Sequence, residues 1–199
     1  MPITNGYTTG SAVKEALGII DASSDTEIDL VIETVSRMID DYAGRFFYSA
    51  GTVVSYYTPD KALSLEIDDV SSVSILQTDD GGDGSFGTTW GTADYVLEPF
   101  NAALTGRPYT LIRVATNGNR SFPIDTIKGV KLTAVRGFPS IPKPIVTATQ
   151  LQCGRIFNRR NTPFGIAGTL ETGQMRLLSR LDPDVEQLVR PYRIPSQAV

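Results

Sequence analysis

The sequence contains no histidine and a single cysteine, Cys153, among its 199 residues. Without histidine, the commonest zinc sites, the Ser-His-Asp triad and histidine acid–base catalysis are excluded. One cysteine cannot form a disulfide within the chain, so we expect Cys153 to be a small buried apolar side chain. Neither a G-x-x-x-x-G-K-[ST] phosphate loop nor a G-x-S-x-G nucleophile motif occurs. These absences predict a protein with no enzymatic activity and no cofactor.

Long apolar runs are also missing. No stretch approaches the ~18 apolar residues that a transmembrane helix requires. The N-terminus, MPITNGYTTGS, lacks the basic and apolar parts of a signal peptide. With 41% hydrophobic and 20% charged residues, the chain is predicted to be a soluble globular protein made in a reducing compartment, with no membrane partner.

Charge is divided unevenly along the chain. Residues 1–100 contain 4 Lys/Arg and 17 Asp/Glu, a net charge of −13, whereas residues 101–199 contain 14 and 5, a net charge of +9. The two halves either neutralise each other within one fold, or the acidic face of one copy binds the basic face of the next. Head-to-tail contacts of the second kind make a ring when the rotation between successive copies closes. The overall charge of −4 disfavours tight wrapping of DNA, which requires neutralisation of phosphates by Lys and Arg.

Two helices are predicted near the N-terminus. Apolar residues recur at helical spacing over 24–43, and Ser24 with Glu27 forms an S-x-x-E capping box. A shorter helix is predicted over 11–17, ended by Gly18. The longer helix carries a candidate inter-subunit surface, called the acidic face below, which consists of Asp25, Glu27, Asp29 and Glu33.

The middle of the chain alternates polar and apolar residues with a period of two, and turn residues separate the runs. This pattern predicts an antiparallel, meander-like sheet. Its candidate strands are 52–57, 62–67, 73–78, 94–98, 109–115 and 130–135. Its aromatic residues are expected to pack within the sheet and not to stack on bases, because no dense basic patch lies among them; they are Tyr56, Tyr57, Trp90, Tyr95 and Phe100.

The run from Asp79 to Gly84 combines aspartates with glycines, a composition found in calcium loops and, more often, in hairpin loops. EF-hand spacing counted from Asp79 places Trp90 where the bidentate glutamate belongs. The run is therefore interpreted as a hairpin loop without a metal.

A Pro-rich hinge, residues 137–144, precedes a third predicted helix that ends near three arginines. These arginines, Arg155, Arg159 and Arg160, form a candidate channel or inter-subunit basic cluster, or else they favour the helix C-terminus and pair with acidic neighbours. Asp182 as a cap and Pro183 in the first turn predict a last helix. The fold class is thus α+β. A helical bundle core, residues 1–48 and 138–189, is expected to carry a β-rich insertion, residues 49–137.

Residues 190–199 are predicted to be an extended tail, because two prolines oppose helix continuation. Tyr192 and Ile194 are expected to be exposed beside Arg190 and Arg193. The segment is either a disordered end or a docking peptide, for which Tyr and Arg are typical anchors. The candidate docking residues are Arg190, Pro191, Tyr192, Arg193 and Ile194.

Several short motifs occur together in a familiar order. They are IDDYAGRFF at 39–47, the β-rich middle, GFPSIPKP at 137–144, and DVEQLVRPYR at 184–193. Their order resembles that of the head-tail connector, or adaptor, proteins of tailed double-stranded DNA bacteriophages and gene transfer agents. The resemblance implies a helical bundle with a β insertion, assembled as a ring beneath the portal, typically a dodecamer. It also implies that residues 190–194 reach towards the portal.

The resemblance further implies the partners and the location of the protein. Expected partners are other copies of the chain, the portal protein, a tail-completion or stopper protein, and DNA that passes through the lumen without sequence-specific binding. The expected location is the neck of the virion, after synthesis in the host cytoplasm. Two alternatives remain open: a tail-completion or stopper protein of the same neck, and a small nucleic-acid-binding module that uses the basic second half.

Overall fold

A computed structural model describes residues 3–116, 118–159, 166–167, 175–176 and 181–194. Its helices are α1 (Gly10–Leu17), α2 (Asp25–Ala43), α3 (Lys143–Arg159) and α4 (Pro183–Val189), with short 3₁₀ helices at Ala102–Thr105 and Arg190–Tyr192. Its strands are β1 (Ser49–Tyr57), β2 (Ser64–Thr78), β3 (Thr88–Trp90), β4 (Tyr95–Glu98), β5 (Tyr109–Val114), β6 (Val130–Gly137), β7 (Ile166–Ala167) and β8 (Met175–Arg176).

The fold is α+β, as predicted, and it divides into two compact units. The helical unit comprises the chain up to Phe47 and from Ile141 onward, and the sheet unit runs from Tyr48 to Ser140. In the helical unit, α3 packs against α1, α2 and α4, and α1 also packs against α2. β7 and β8 form a separate antiparallel pair.

The apolar stripe of α2 forms much of the helical unit's core. Ile28, Ile32, Val35 and Ile39 recur every three or four residues and are all buried, as the spacing predicts. The helix ends at Gly44, whose φ of +69° is the left-handed conformation that glycine adopts without strain. Ser24 occupies the N-cap position, but its side chain accepts no capping hydrogen bond. The predicted capping box is wrong in this respect, because at ψ 6° Ser24 lacks the extended backbone usual at an N-cap.

The main sheet is antiparallel throughout, but it is not the predicted meander. Its strand order is β1-β6-β2-β5-β4, with β3 paired to β2. The last strand, β6, therefore lies between the first two. Turn residues in the sequence indicate where the chain reverses direction. The position of β6 between β1 and β2, by contrast, depends on pairing between residues far apart in sequence.

The predicted strands 62–67 and 73–78 are parts of one strand, β2. Shifts in register between Glu66 and Val70, and again beyond Val70, allow β2 to change partner from β5 to β6. Such irregularities bend a strand without ending it. Because the residues at this bend are polar, the sequence there resembles a turn, and one strand was predicted as two. The three-residue strand β3 was not predicted, because so short a run shows no periodicity.

The sheet unit buries a core on one face of the sheet. Trp90 stacks on Phe122 with ring centroids 4.7 Å apart, and its indole N–H donates to Thr78 Oγ1 at 3.2 Å. Trp90 and Tyr95 are buried as expected, but Tyr56 and Phe100 are exposed. The packing prediction is wrong for Phe100, which lies in the turn after β4. Tyr56 lies on the face of β1 opposite the core, where its ring packs against Phe86 at a centroid distance of 5.7 Å.

Candidate interaction surfaces

The described residues show no metal-ligand cluster: no three Asp, Glu or Cys side chains converge as ligands would. In the same part of the chain, no helix is both long and apolar enough to cross a membrane. The buried Asp79 carboxylate accepts backbone N–H groups from Gly82 at 2.8 Å and Gly84 at 2.8 Å. Asp79 therefore holds the loop between β2 and β3 by its own hydrogen bonds.

Residues 190–194 fold back onto the C-terminal end of α2. Tyr192 lies edge-on to Phe47, with ring centroids 5.8 Å apart and an interplanar angle of 86°. The Ile194 N–H donates to the Ala43 carbonyl oxygen at 2.9 Å, and so satisfies one of the carbonyl groups that a helix end leaves without an intrahelical partner. The Arg193 guanidinium lies 5.3 Å from the ring centroid of Tyr42.

The prediction of an extended tail is therefore wrong for residues 190–192, which form a separate 3₁₀ helix directly after α4. Pro191 is tolerated there because the first turn of a helix does not use the N–H that proline lacks. Ile194 is exposed, as expected, whereas Tyr192 is only half-exposed. Arg190, Pro191 and Arg193 are exposed as well. Residues 195–199 of the predicted tail lie outside the described residues.

A buried polar network centred on Tyr7 supports this surface. The Tyr7 hydroxyl accepts the Phe47 N–H at 2.8 Å and donates to the Asp40 carboxylate. Arg37 Nε donates to the other oxygen of Asp40 at 2.9 Å, and its guanidinium lies 5.6 Å from the Tyr7 ring centroid. Burial, followed by the hydrogen bond to Asp40, raises the pKa of Tyr7 above its usual range. Burial also raises the pKa of Asp40.

The Tyr7 network joins the N-terminal segment, α2 and the Phe47 ring on which Tyr192 rests. Sequence reasoning missed it, because a lone tyrosine in a polar stretch has no periodic partner. The one signal was that Tyr7 is the only aromatic residue before α2.

The acidic face is partly neutralised within the chain. Asp25, Asp29 and Glu33 follow one another at four-residue spacing and so share a stripe of α2, whereas Glu27 is offset from it. Lys14 Nζ lies 2.6 Å from Asp25 Oδ1. Asp25 and Asp29 also line an open groove of about 510 Å³ beside α1. The stripe beyond Asp25 is the part that retains acidic character.

The predicted basic cluster is divided by the structure. Arg155 Nη1 donates to Asp182 Oδ2 at 2.9 Å, which ties α3 to the start of α4. Asp182 also caps α4 as predicted, since its other oxygen accepts the Asp184 N–H at 3.0 Å. Arg159 is half-buried at the end of α3, and Arg160 lies outside the described residues. Arg155 thus follows the alternative expectation, which was pairing with an acidic neighbour.

The single thiol has no role in these surfaces. Cys153 is buried in α3, as expected, and burial raises its pKa to about 12. A thiol with so high a pKa remains protonated and unreactive at neutral pH.

No protein-family model matches the chain, and no curated protein matches it at a significant level. Its fold is similar to that of a chain in a solved structure described as the neck of an empty GTA particle computed with C6 symmetry. That similarity has a TM-score of 0.58 and 16% identity, and covers 95% of this chain and 90% of the other.

Two further structures give similar results. The neck of a native GTA particle computed with C12 symmetry has a TM-score of 0.52 and 16% identity, and covers 94% of this chain and 89% of the other. The virion of a native gene transfer agent particle has a TM-score of 0.52 and 15% identity, and covers 95% and 90%. At these identities the comparisons establish a shared fold, which extends over nearly the whole chain.

Proposed function

We propose that this protein is a structural, non-enzymatic subunit of a virion neck, namely the head-tail adaptor that forms a ring beneath the portal. The observation that carries this proposal is the likeness over 95% of the chain to a chain from a gene transfer agent neck. The solved necks were computed with sixfold and twelvefold symmetry. In this proposal the helical unit is the bundle core of the subunit and the sheet unit is its insertion.

The charge distribution supports assembly with other copies. In the described structure the stripe of Asp29 and Glu33 lies on α2, and Arg159 ends α3. We assign the acidic face to the lateral contact, and Arg159 with Arg160 to the opposing surface of the next subunit. Arg155 serves this contact indirectly, because its ion pair with Asp182 positions α4 against α3. Complementary charges of this kind set orientation and association rate more than affinity.

Residues 190–194 are the proposed portal-docking surface. Their anchoring through Tyr192 and Ile194 fixes the segment before any partner binds, which lowers the conformational entropy lost on docking. Arg190, Pro191 and Arg193 are exposed beside this anchor. Exposed arginine next to a fixed aromatic side chain is a composition typical of binding hot spots.

The proposed ring surrounds the DNA channel and joins the portal to a tail-completion or stopper protein. The net charge of −4 suits a lumen through which DNA slides, since tight binding would require neutralisation of many phosphates. In this proposal the protein is a virion component made in the host cytoplasm.

Sucrose-gradient sedimentation of the protein with purified portal rings tests the proposal. We expect the wild-type chain to sediment with the portal without a third component. Arg190→Glu, which reverses an exposed charge and leaves the Tyr192 contact in place, is expected to weaken this association at least tenfold. The matched control is Lys143→Glu, an exposed charge reversal at the start of α3, which is expected to leave it unchanged.

The outcomes separate the proposal from its alternatives. Association of the wild-type chain only after an adaptor is added would identify a stopper or tail-completion protein. No association, together with a salt-sensitive DNA affinity that falls when Arg155, Arg159 and Arg160 become alanine, would identify a nucleic-acid-binding module. Equal association of wild type and a chain lacking residues 190–199 would contradict the docking role.

A further inference from the structure

The edge strand β1 lacks the features that normally prevent one sheet from pairing with another. In the described part of the chain, β1 pairs with β6 along one side only. Its sequence, SAGTVVSYY, contains no charged residue and no proline. The register is irregular between Ser49 and Gly51 and regular from Thr52 to Tyr57. Edge strands are usually protected by lysine, proline or a central bulge, because their free N–H and C=O groups can pair with another strand.

The face of the sheet opposite the core carries apolar side chains next to this edge, together with Lys131, which lies opposite Tyr56 and 5.6 Å from the Phe86 ring centroid. Val54 of β1 lies opposite Thr133 of β6, which lies opposite Ile75 of β2. Val54, Tyr56 and Ile75 expose 45%, 48% and 44% of their surface. This patch borders an edge with open backbone groups, so both main-chain pairing and apolar burial are available to a strand that binds there.

The other end of the sheet has a matching edge. β4 pairs only with β5 among the described strands. Its one charged residue, Glu98, is neutralised by Arg113, whose Nε lies 2.6 Å from Glu98 Oε1. Two large apolar side chains follow within six residues of β4: Phe100 is 67% exposed, and Leu104, in the 3₁₀ helix Ala102–Thr105, is 85% exposed. A neighbour that presents β4 therefore also supplies apolar groups to cover a patch such as the one beside β1.

The relative direction of the two edges follows from the topology. Neighbours in the order β1-β6-β2-β5-β4 are antiparallel at every step. With five strands on this path, β1 and β4 run in the same direction. Subunits related by a small rotation keep nearly the same strand direction, so β4 of one copy would meet β1 of the next as a parallel pair.

We propose that β1 of one subunit pairs with β4 of its neighbour, in parallel, so that the sheets continue from copy to copy around the ring. This inference rests on the proposed ring assembly and adds, for the sheet unit, a second lateral contact to the one assigned above to the acidic face and to Arg159 with Arg160. The pairing is head-to-tail and uses different edges on the two copies, as ring closure requires. A twofold dimer through β1 with β1 of another copy would be antiparallel and would use the same edge twice.

Cysteine cross-linking tests the pairing, because Cys153 is buried and its high pKa makes it unreactive. Val96→Cys places a thiol on β4, on the face opposite the core. It is mixed in turn with Thr52→Cys, Val54→Cys or Tyr56→Cys on β1, both in free protein at high concentration and on portal rings. We expect one of the three mixtures to form an intermolecular disulfide in high yield, whereas each single variant alone and the wild type form none.

Lysine substitution provides a second measurement. Val54→Lys puts a charge into the centre of the β1 edge. Combined in one chain with Thr52→Cys or with Tyr56→Cys, it is expected to abolish the disulfide to Val96→Cys of another chain. Leu63→Lys adds the same charge at an exposed residue before β2 and is expected to leave it intact. Trp90 fluorescence, which reports on the core of the same unit, verifies that both variants are folded.

Each outcome has a distinct meaning. A collar on the portal without any β1–β4 cross-link overturns this inference and leaves the proposed function standing. A β1–β4 cross-link in free protein that never binds portal supports the edge pairing and contradicts the proposed function. A strong disulfide in Val54→Cys alone indicates the twofold β1 dimer and overturns the head-to-tail pairing.

Discussion

Replacing Tyr7 by phenylalanine removes a single oxygen atom from the network that supports the C-terminal surface. That oxygen accepts the Phe47 N–H at 2.8 Å and donates to Asp40. Because Tyr7 and Phe47 are both buried, water cannot readily replace the lost partner. The aromatic ring remains, so its edge contact with Phe47, at a centroid distance of 5.7 Å, is preserved.

The expected loss of stability follows from these contacts. A buried donor or acceptor left without its partner costs about 1–3 kcal/mol. Asp40 keeps its hydrogen bond from Arg37 at 2.9 Å, which offsets part of the loss on that side. We therefore expect Tyr7→Phe to lower the free energy of unfolding by about 2 kcal/mol. For a chain of this length, that corresponds to a fall in Tm of roughly 4–8 °C.

Urea unfolding followed by circular dichroism at 222 nm measures this loss, because all four described α-helices belong to the helical unit. The matched control is Tyr57→Phe, which removes the same atom from a half-exposed tyrosine bonded to the exposed Asp68 at 3.1 Å. We expect that variant to lie within about 0.5 kcal/mol of wild type. Equal effects of the two substitutions would refute the reasoning, because burial of the Tyr7 network would then contribute nothing.

Three other predictions concern pH, the thiol and an ion pair. Burial, and then the hydrogen bond to Asp40, raises the pKa of Tyr7. The unfolded chain therefore loses the tyrosine proton first, and the free energy of unfolding falls as pH rises above about 10. Tyr7→Phe should show a shallower fall of this free energy with pH, and the same slope in both proteins would contradict the prediction. Cys153, with a pKa of about 12, should not react with a thiol reagent in the native protein at pH 8, and one thiol per chain should react in urea; rapid native labelling would refute its burial. In a double-mutant cycle, Arg155→Ala and Asp182→Ala should show a coupling energy of about 0.5–1 kcal/mol, because Arg155 Nη1 lies 2.9 Å from Asp182 Oδ2. Additive effects of the two substitutions would show that this ion pair does not stabilise α3 against α4.

Local signals predicted the helices well. The α2 stripe is periodic over five turns, Gly18 and Gly44 end α1 and α2 in the left-handed conformation, and Asp182 caps α4. Each of these features depends on residues within one or two turns of one another. The antiparallel pairing and the approximate positions of most strands were predictable for the same reason.

Features that depend on distant residues were not predictable. The insertion of β6 between β1 and β2 depends on pairs more than 50 residues apart, such as Val54 with Thr133 and Ile75 with Thr133. The folding of residues 190–192 onto Phe47 and the Tyr7 network are also long-range contacts. Among the candidate surface residues, the predicted exposure is correct for Ile194 and wrong for Tyr192, which is half-buried. The ion pair of Arg155 with Asp182 was only one of two options that the sequence left open.

The central claim, that the chain is a ring-forming neck subunit bound to the portal, is tested most directly by electron microscopy of portal rings with and without the protein. Class averages should show an added collar at one end of the portal, and we expect its rotational symmetry to be twelvefold. Bare portal rings at saturating protein concentration, with a monomeric chain that shifts DNA at low salt, would contradict the account.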